Sequence, residues 1–164
     1  MNKQAAIFLD RDGVINRERG EHTCRLPDFE ILPTVAQAVR AIGAAGKRTV
    51  VITNQSGIGL GLYGHAEVNE MHRYLHAQLA QQGGTIDAVY YCPHHPSQGK
   101  CLCRKPGSLL LERAIARYHI DPASSVMIGD RDRDIEAAIG AGVLGILVEA
   151  NVPLMEVLMQ NRLV

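Results

Sequence analysis

Five short apolar runs of strand length, separated by stretches whose apolar residues recur three and four positions apart, set most of what this chain can fold into. The runs are "QAAIFLD" (4–10), "RTVVIT" (48–53), "TIDAVYYC" (85–92), "SSVMIGD" (124–130) and "VLGILVE" (143–149). Residues 34–46 carry Val35, Ala38, Val39 and Ile42 on one helical face, and 65–83 carry Val68, Met71, Leu75 and Leu79. Residues 108–120, 134–142 and 153–160 read as three more helices. Strands alternating with helices at this spacing build right-handed βαβ units and a parallel sheet covered on both faces. The expected fold class is therefore α/β, a Rossmann-like doubly wound parallel sheet. No repeat or linker divides the chain, so residues 1–164 are expected to form one domain.

Composition excludes several partners. Lys+Arg and Asp+Glu number 17 each, a zero balance that lacks the basic excess of nucleic-acid or acidic-membrane binders. No segment reaches the about 18 apolar residues of a membrane span, and the apolar run in "MNKQAAIFLDRDG" is too short for a secretion signal. A cytoplasmic chain is expected, with no nucleic-acid or membrane partner and a monomeric state. In that compartment clustered cysteines are metal ligands more often than disulfides. Cys24 stands apart from the cluster and reads as a small buried or loop thiol.

In a doubly wound sheet, ligands bind beyond the carboxyl ends of the strands, so the residues leaving each strand carry the chemistry. The first strand ends in Asp10-Arg11-Asp12-Gly13, whose two acids repel and favour a divalent cation. The second ends in Thr53-Asn54-Gln55-Ser56-Gly57, a turn of donors suited to an anion. The third leads through a loop to Arg104-Lys105-Pro106, and the fourth ends in Gly129-Asp130-Arg131-Asp132, with Asp134 beyond. Each has an ordinary alternative: a solvated turn for Asp10 and Asp12, a helix cap for Asp134. Together they offer a cation, a phosphate and a nucleophile on one edge.

"YYCPHHPSQGKCLCRKP" (90–106) holds three of the four cysteines. Cys92, His94, Cys101 and Cys103 make the Cys₃His set that Zn²⁺ takes in a closed tetrahedral site. Four protein ligands leave no open position, so this zinc is expected to be structural. His95 is expected to face solvent or the mouth of the site. His72 and His76 lie four apart on a helix with no third ligand, which points to an exposed helix face.

"FLDRDG", "VITNQSG", "CRKP" and "GDRDRD" resemble, in order and spacing, the four motifs of haloacid dehalogenase (HAD) superfamily phosphatases. The cysteine loop is similar to that of the small, capless, zinc-loop members. The resemblance implies one HAD core domain without a large cap, a flap at about 13–32 and a zinc-binding loop at 92–105. It implies a Mg²⁺-dependent phosphomonoesterase in which Asp10 is the nucleophile and Asp12 the acid and base. Thr53, the Asn54 N–H and Lys105 would hold the phosphoryl oxygens. Mg²⁺ would sit on the Asp10 carboxylate, the Asp12 carbonyl and Asp130. Arg19, Asn54, Gln55, Arg104 and Arg131 are the implied substrate contacts, and Asp134 is either a neighbour of the metal ligands or only a helix cap.

The implied substrate is a small phosphorylated metabolite. "YYCPHHP", "TNQSGIG" and the lack of a second catalytic domain favour the C7 phosphate of D-glycero-D-manno-heptose 1,7-bisphosphate. The six residues between His94 and Cys101 lean instead towards histidinol phosphate. A catalytically inactive, zinc-stabilised binding module is the rival from another class.

Overall fold

The computed structural model describes residues 3–164. All five predicted strands form: β1 (Ala6–Leu9), β2 (Arg48–Asn54), β3 (Ala88–Cys92), β4 (Val126–Gly129) and β5 (Leu144–Leu147). They pair in parallel in the order β3-β2-β1-β4-β5. The helices are α1 (Val35–Ala44), α2 (His65–Gln81), α3 (Leu109–Tyr118), α4 (Asp132–Gly140) and α5 (Leu154–Gln160). Among the described residues no helix is long and apolar enough to cross a membrane.

Successive side chains of a strand point to opposite faces, and β1 splits its apolar residues accordingly. Ile7 and Leu9 join Val51 and Ile128 in a core against α1, α2 and α5. Ala6 and Phe8 join Val50, Ile52 and Met127 in a second core against α3 and α4. Burial on both faces explains why β1, β2 and β4 read as unbroken apolar runs.

Three expectations need correction. β5 is a sheet edge, and Leu144 and Leu147 are 64% and 54% exposed, so its apolar residues do not mark a strand covered on both faces. His72 is buried at 7% exposure rather than lying on an open helix face. It shares the inward stripe of α2 with Val68, Met71, Leu75 and Leu79, because positions 68, 71, 72, 75 and 79 repeat at helical period. Strand β3 also starts three residues later than expected, because Asp87 turns aside to accept from the Thr49 N–H at 2.9 Å and from Arg48 at 2.6 Å.

The chain moves from β1 out to β3, then crosses back to place β4 on the other side of β1. The direction of winding reverses between β1 and β4, and a crevice opens above their carboxyl ends. Residues 13–32 arch beside it. Their stem closes on itself through the Arg17 N–H to Glu30 carbonyl bond (2.9 Å) and the Leu32 N–H to Ile15 carbonyl bond (2.9 Å). Asn151, after β5, grips the same segment from outside, accepting from the Glu18 N–H at 2.7 Å.

Phe8 is fully buried at the centre of the second core. Phe8→Ala is expected to cost about 3–5 kcal/mol, read as a lower urea midpoint with an unchanged m-value.

Candidate active site

Each strand that borders the crevice hands over one group. Asp10 leaves β1 with its N–H bonded to the Ile128 carbonyl of β4 at 3.0 Å, which fixes the acid at the switch point. The next residues turn at once: the Ile15 and Asn16 N–H groups donate to the Arg11 carbonyl at 2.8 and 3.0 Å. Gly13 makes that turn possible at φ +90°, a left-handed conformation that disfavours side chains. A Cβ there would also stand 2.5 Å from Asp130 Oδ2.

Lys105 is buried in the middle of the site. Its Nζ donates to Asp10 Oδ1 at 2.8 Å and to the Ile52 carbonyl at 2.7 Å, and stands 2.6 Å from Asp134 Oδ1. Burial alone would lower the ammonium's pKa, but the charges of Asp10 and Asp134 more than reverse it, so the group stays cationic. Asp10 responds to several influences. Burial lifts it and Lys105 opposes; with Asp134 and Asp12 adding repulsion, it is pushed up to about 7. Burial and Asp134 likewise raise Asp130.

Asp10, Asp130 and Asp134 bring carboxylate oxygens within 4.8 Å of one another. One ammonium does not neutralise three carboxylates. Asp130 Oδ2 is buried without a hydrogen-bond partner, the Arg131 Nε being 3.6 Å away. An orphaned oxygen beside an excess of negative charge fits a hard divalent cation. Asp134 is completely buried, so it is more than a helix cap, although it also accepts from the Arg131 N–H at 3.1 Å.

Asp12 is held differently from Asp10. Arg11 Nη2 and Asn16 Nδ2 each donate to its Oδ1 at 2.9 Å, and Gln55 Nε2 donates to Oδ2 at 3.0 Å. Burial works to raise its pKa, but the Arg11 charge and these three bonds outweigh it and hold the carboxyl below its usual range. Two carboxylates two residues apart thus titrate in opposite directions, the pattern of an acid–base pair with divided roles.

The second strand contributes Thr53, fully buried, whose Oγ1 accepts from Gln55 Nε2 at 2.9 Å. Asn54 pairs with Lys105 much as a strand would: its Nδ2 donates to the Lys105 carbonyl at 3.1 Å and its Oδ1 accepts from the Lys105 N–H at 2.9 Å. Gln55 is committed to Asp12, Thr53 and the Tyr63 hydroxyl, which donates to its Oε1 at 2.7 Å. Its amide therefore orients the acid rather than reaching outward.

Beside these groups lies a cleft of about 280 Å³. Asp12, Asn54 and Ser56 form its floor, Glu18, Glu21 and His22 face it from the 13–32 segment, and Arg104 and Arg133 line its rim. Burial and the neighbouring Arg133 charge both lower the Arg104 pKa, so the two guanidiniums repel. A larger hollow of about 560 Å³, between residues 29–37 and α2, contains none of the strand-end residues. Arg19 is not brought to the cleft; it pairs with Glu21 at 2.9 Å and Asp28 at 3.5 Å. The Arg131 side chain is 55% exposed beside Asp130. Sequence inspection missed Arg133, Tyr63, Asn16 and the buried Arg11. Only Arg133, inside the "GDRDRD" motif and second residue of α4, carried a local signal.

Beyond β3, Cys92, His94, Cys101 and Cys103 converge. Their sulfurs lie 3.0, 3.7 and 3.8 Å apart, and His94 Nδ1 is 3.5 and 3.3 Å from Cys92 and Cys103. Tetrahedral Zn²⁺ with Zn–S near 2.3 Å requires donor separations of about 3.8 Å, so the cluster fits zinc with all four positions filled. His95 is half-buried and caps the turn at 96–98, its Nδ1 accepting from the Ser97 N–H at 3.1 Å. Gln98 hooks the hairpin to the Gly59 carbonyl at 2.8 Å.

A HAD-hydrolase-like family model matches residues 102–159. The chain is 40% identical to D-glycero-beta-D-manno-heptose-1,7-bisphosphate 7-phosphatase of Haemophilus influenzae, over 93% of this chain and 85% of the relative. It is 41% identical to the enzyme of that name from Escherichia coli K12, over 84% and 75% of the two chains. The crystal structure of D,D-heptose 1,7-bisphosphate phosphatase from B. bronchiseptica, complexed with magnesium and phosphate, superposes with a TM-score of 0.85 at 37% identity. That superposition covers 96% of this chain and 87% of the other. With the four strand-end motifs gathered on one crevice, the chain belongs to the HAD phosphatases, in the family of these heptose-bisphosphate enzymes.

Proposed function

We propose that this chain hydrolyses the 7-phosphate of D-glycero-beta-D-manno-heptose 1,7-bisphosphate through an aspartyl-phosphate on Asp10. The observation that carries this is the Asp10 carboxylate at the switch point, set between the Lys105 ammonium and the carboxylates of Asp130 and Asp134. The relatives' shared substrate name supports the sugar, and the magnesium and phosphate in the similar crystal structure support the site's contents. Residues 1–164 act as one catalytic unit, with 13–32 as the flap over the cleft.

In this reading Asp10 attacks phosphorus in line with the departing C7 oxygen, so the P–O bond to the sugar breaks as the P–O bond to Asp10 forms. Asp12 is ionised at rest. It takes up a proton as the phosphate dianion enters beside it, and delivers that proton to the leaving oxygen. Thr53, the Asn54 N–H and Lys105 hold the equatorial oxygens. Water then attacks the aspartyl-phosphate, and Asp12 accepts its proton. Asp10, the Asp12 carbonyl and Asp130 would hold Mg²⁺, which when bound neutralises charge as carboxylate and phosphate approach. Cys92, His94, Cys101 and Cys103 hold a structural zinc.

The rim favours a bisphosphate over histidinol phosphate. Arg104 and Arg133 lie near enough to repel and neither forms an ion pair among the described residues, so a second phosphate between them relieves an unfavourable contact. Histidinol phosphate would bring a cationic amine instead.

Asp10→Asn is expected to abolish phosphate release and trapping of labelled phosphate on the protein, with an unchanged circular dichroism spectrum; retained turnover refutes the nucleophile. Arg104→Ala should raise KM for the bisphosphate roughly 10-fold while kcat moves little, in steady-state assays against the monophosphate. Cys101→Ser should lose bound zinc by metal analysis and lower the melting temperature. Its activity should fall through displacement of Lys105, not through loss of a reacting metal.

A further inference from the structure

Arg11 sits between the two acids of the first motif, yet has no solvent exposure and cannot touch substrate. One arm of its guanidinium, Nη2, donates to Asp12 Oδ1 at 2.9 Å, and the other, Nη1, meets His72 Nε2 at 3.4 Å. Its central carbon lies 5.3 Å over the Phe29 ring, at the foot of the flap. Phe29 in turn stands edge-on to Tyr74 of α2, with centroids 6.5 Å apart. An arginine does not shed its charge when buried. Keeping one in a core costs several kcal/mol unless its partners are well placed, and among the described residues Asp12 is the carboxylate paired with it.

His72 is built to accept from that cation. Burial, reinforced by the Arg11 charge, pushes its pKa down to about 3, so the ring is neutral and Nε2 presents a lone pair. Tyr91 packs against the ring at 5.9 Å, and His76 is its titratable neighbour on α2. The result is a line from α2 through Arg11 to the acid.

The line ends on one particular oxygen. Asp12 Oδ1 receives both Arg11 and Asn16, which occupies its two lone pairs. Oδ2 receives Gln55 alone and keeps one lone pair, and Asp12 lines the cleft. We propose that Arg11, anchored by His72, is a positioning residue that fixes the Asp12 carboxylate so that its proton travels on Oδ2 to the leaving oxygen. The Arg11 charge also stabilises the carboxylate that Asp12 becomes as the proton departs. This rests on Asp12 being the general acid.

The test compares esters with different need of a proton, using kcat/KM, which reports only the first transfer. His72→Leu removes the acceptor; His72→Gln restores one near the position of Nε2. With the heptose bisphosphate, whose alkoxide must be protonated, His72→Leu is expected to lose roughly 10- to 100-fold. With 4-nitrophenyl phosphate, whose phenolate leaves unaided, it should lose less than about 3-fold, and His72→Gln should recover most of the sugar-ester activity. Equal losses on both esters, or a Gln variant no better than Leu, would overturn the proposal, since general loosening of the fold does not discriminate between leaving groups. Asp12→Asn separates the two claims. An even loss there removes the acid assignment and this proposal with it. An ester-dependent loss there, with an even loss in His72→Leu, removes the positioning role alone.

Discussion

The buried ammonium of Lys105 is the interaction around which the rest is arranged. A lone charge at that depth costs many kcal/mol, and here it is met by Asp10 from β1, the Ile52 carbonyl from β2 and Asp134 from α4. One side chain therefore draws β1, β2 and α4 together at the crevice. The converse holds as well: without the lysine, three carboxylates would face one another across less than 5 Å. Catalytic geometry and local stability share the same contacts.

A lysine in that role needs its backbone fixed, and two devices do so. Asn54 bonds both the N–H and the carbonyl of Lys105, joining the loop to the end of β2. The four-ligand cluster then folds residues 92–103 back on themselves just ahead of it. The cysteines serve the chemistry by bracing its cation. Asp12 is held by groups of a different kind, Arg11, Asn16 and the Gln55–Tyr63 pair, so Asp10 and Asp12 have separate supports.

Much of this was legible in the sequence. Alternating apolar runs gave the sheet because β1, β2 and β4 are covered on both faces, and the strand-end motifs meet on one crevice because a doubly wound sheet gathers those ends. The cysteine spacing gave the metal loop because two Cys-x-ligand pairs need only a short arm to meet. What escaped depends on partners far along the chain. His72 reads as an exposed helical residue until Arg11, 61 positions away, is placed against it. Arg11 reads as a solvated charge, and nothing local announces that α2 and Phe29 enclose it. Gln55 lines the cleft, but nothing local announces that Tyr63 and Asp12 take up its amide. Arg19 fails in the opposite sense, because Glu21 and Asp28 within the same segment capture it. β5 carries core-like leucines although it is an edge, which periodicity alone cannot distinguish.

The hairpin tip at 95–100 is fastened at its base by the Cys₃His cluster and tied on its flank by Gln98 to Gly59. Changes of length or composition in the tip are thus insulated from the lysine that follows. The tip lies outside the residues that line the cleft, so it can vary while the contacts of Lys105 stay put. Insertions at the tip would then meet solvent on one side and a fixed base on the other, so the loop can drift in sequence while the buried ammonium keeps its place.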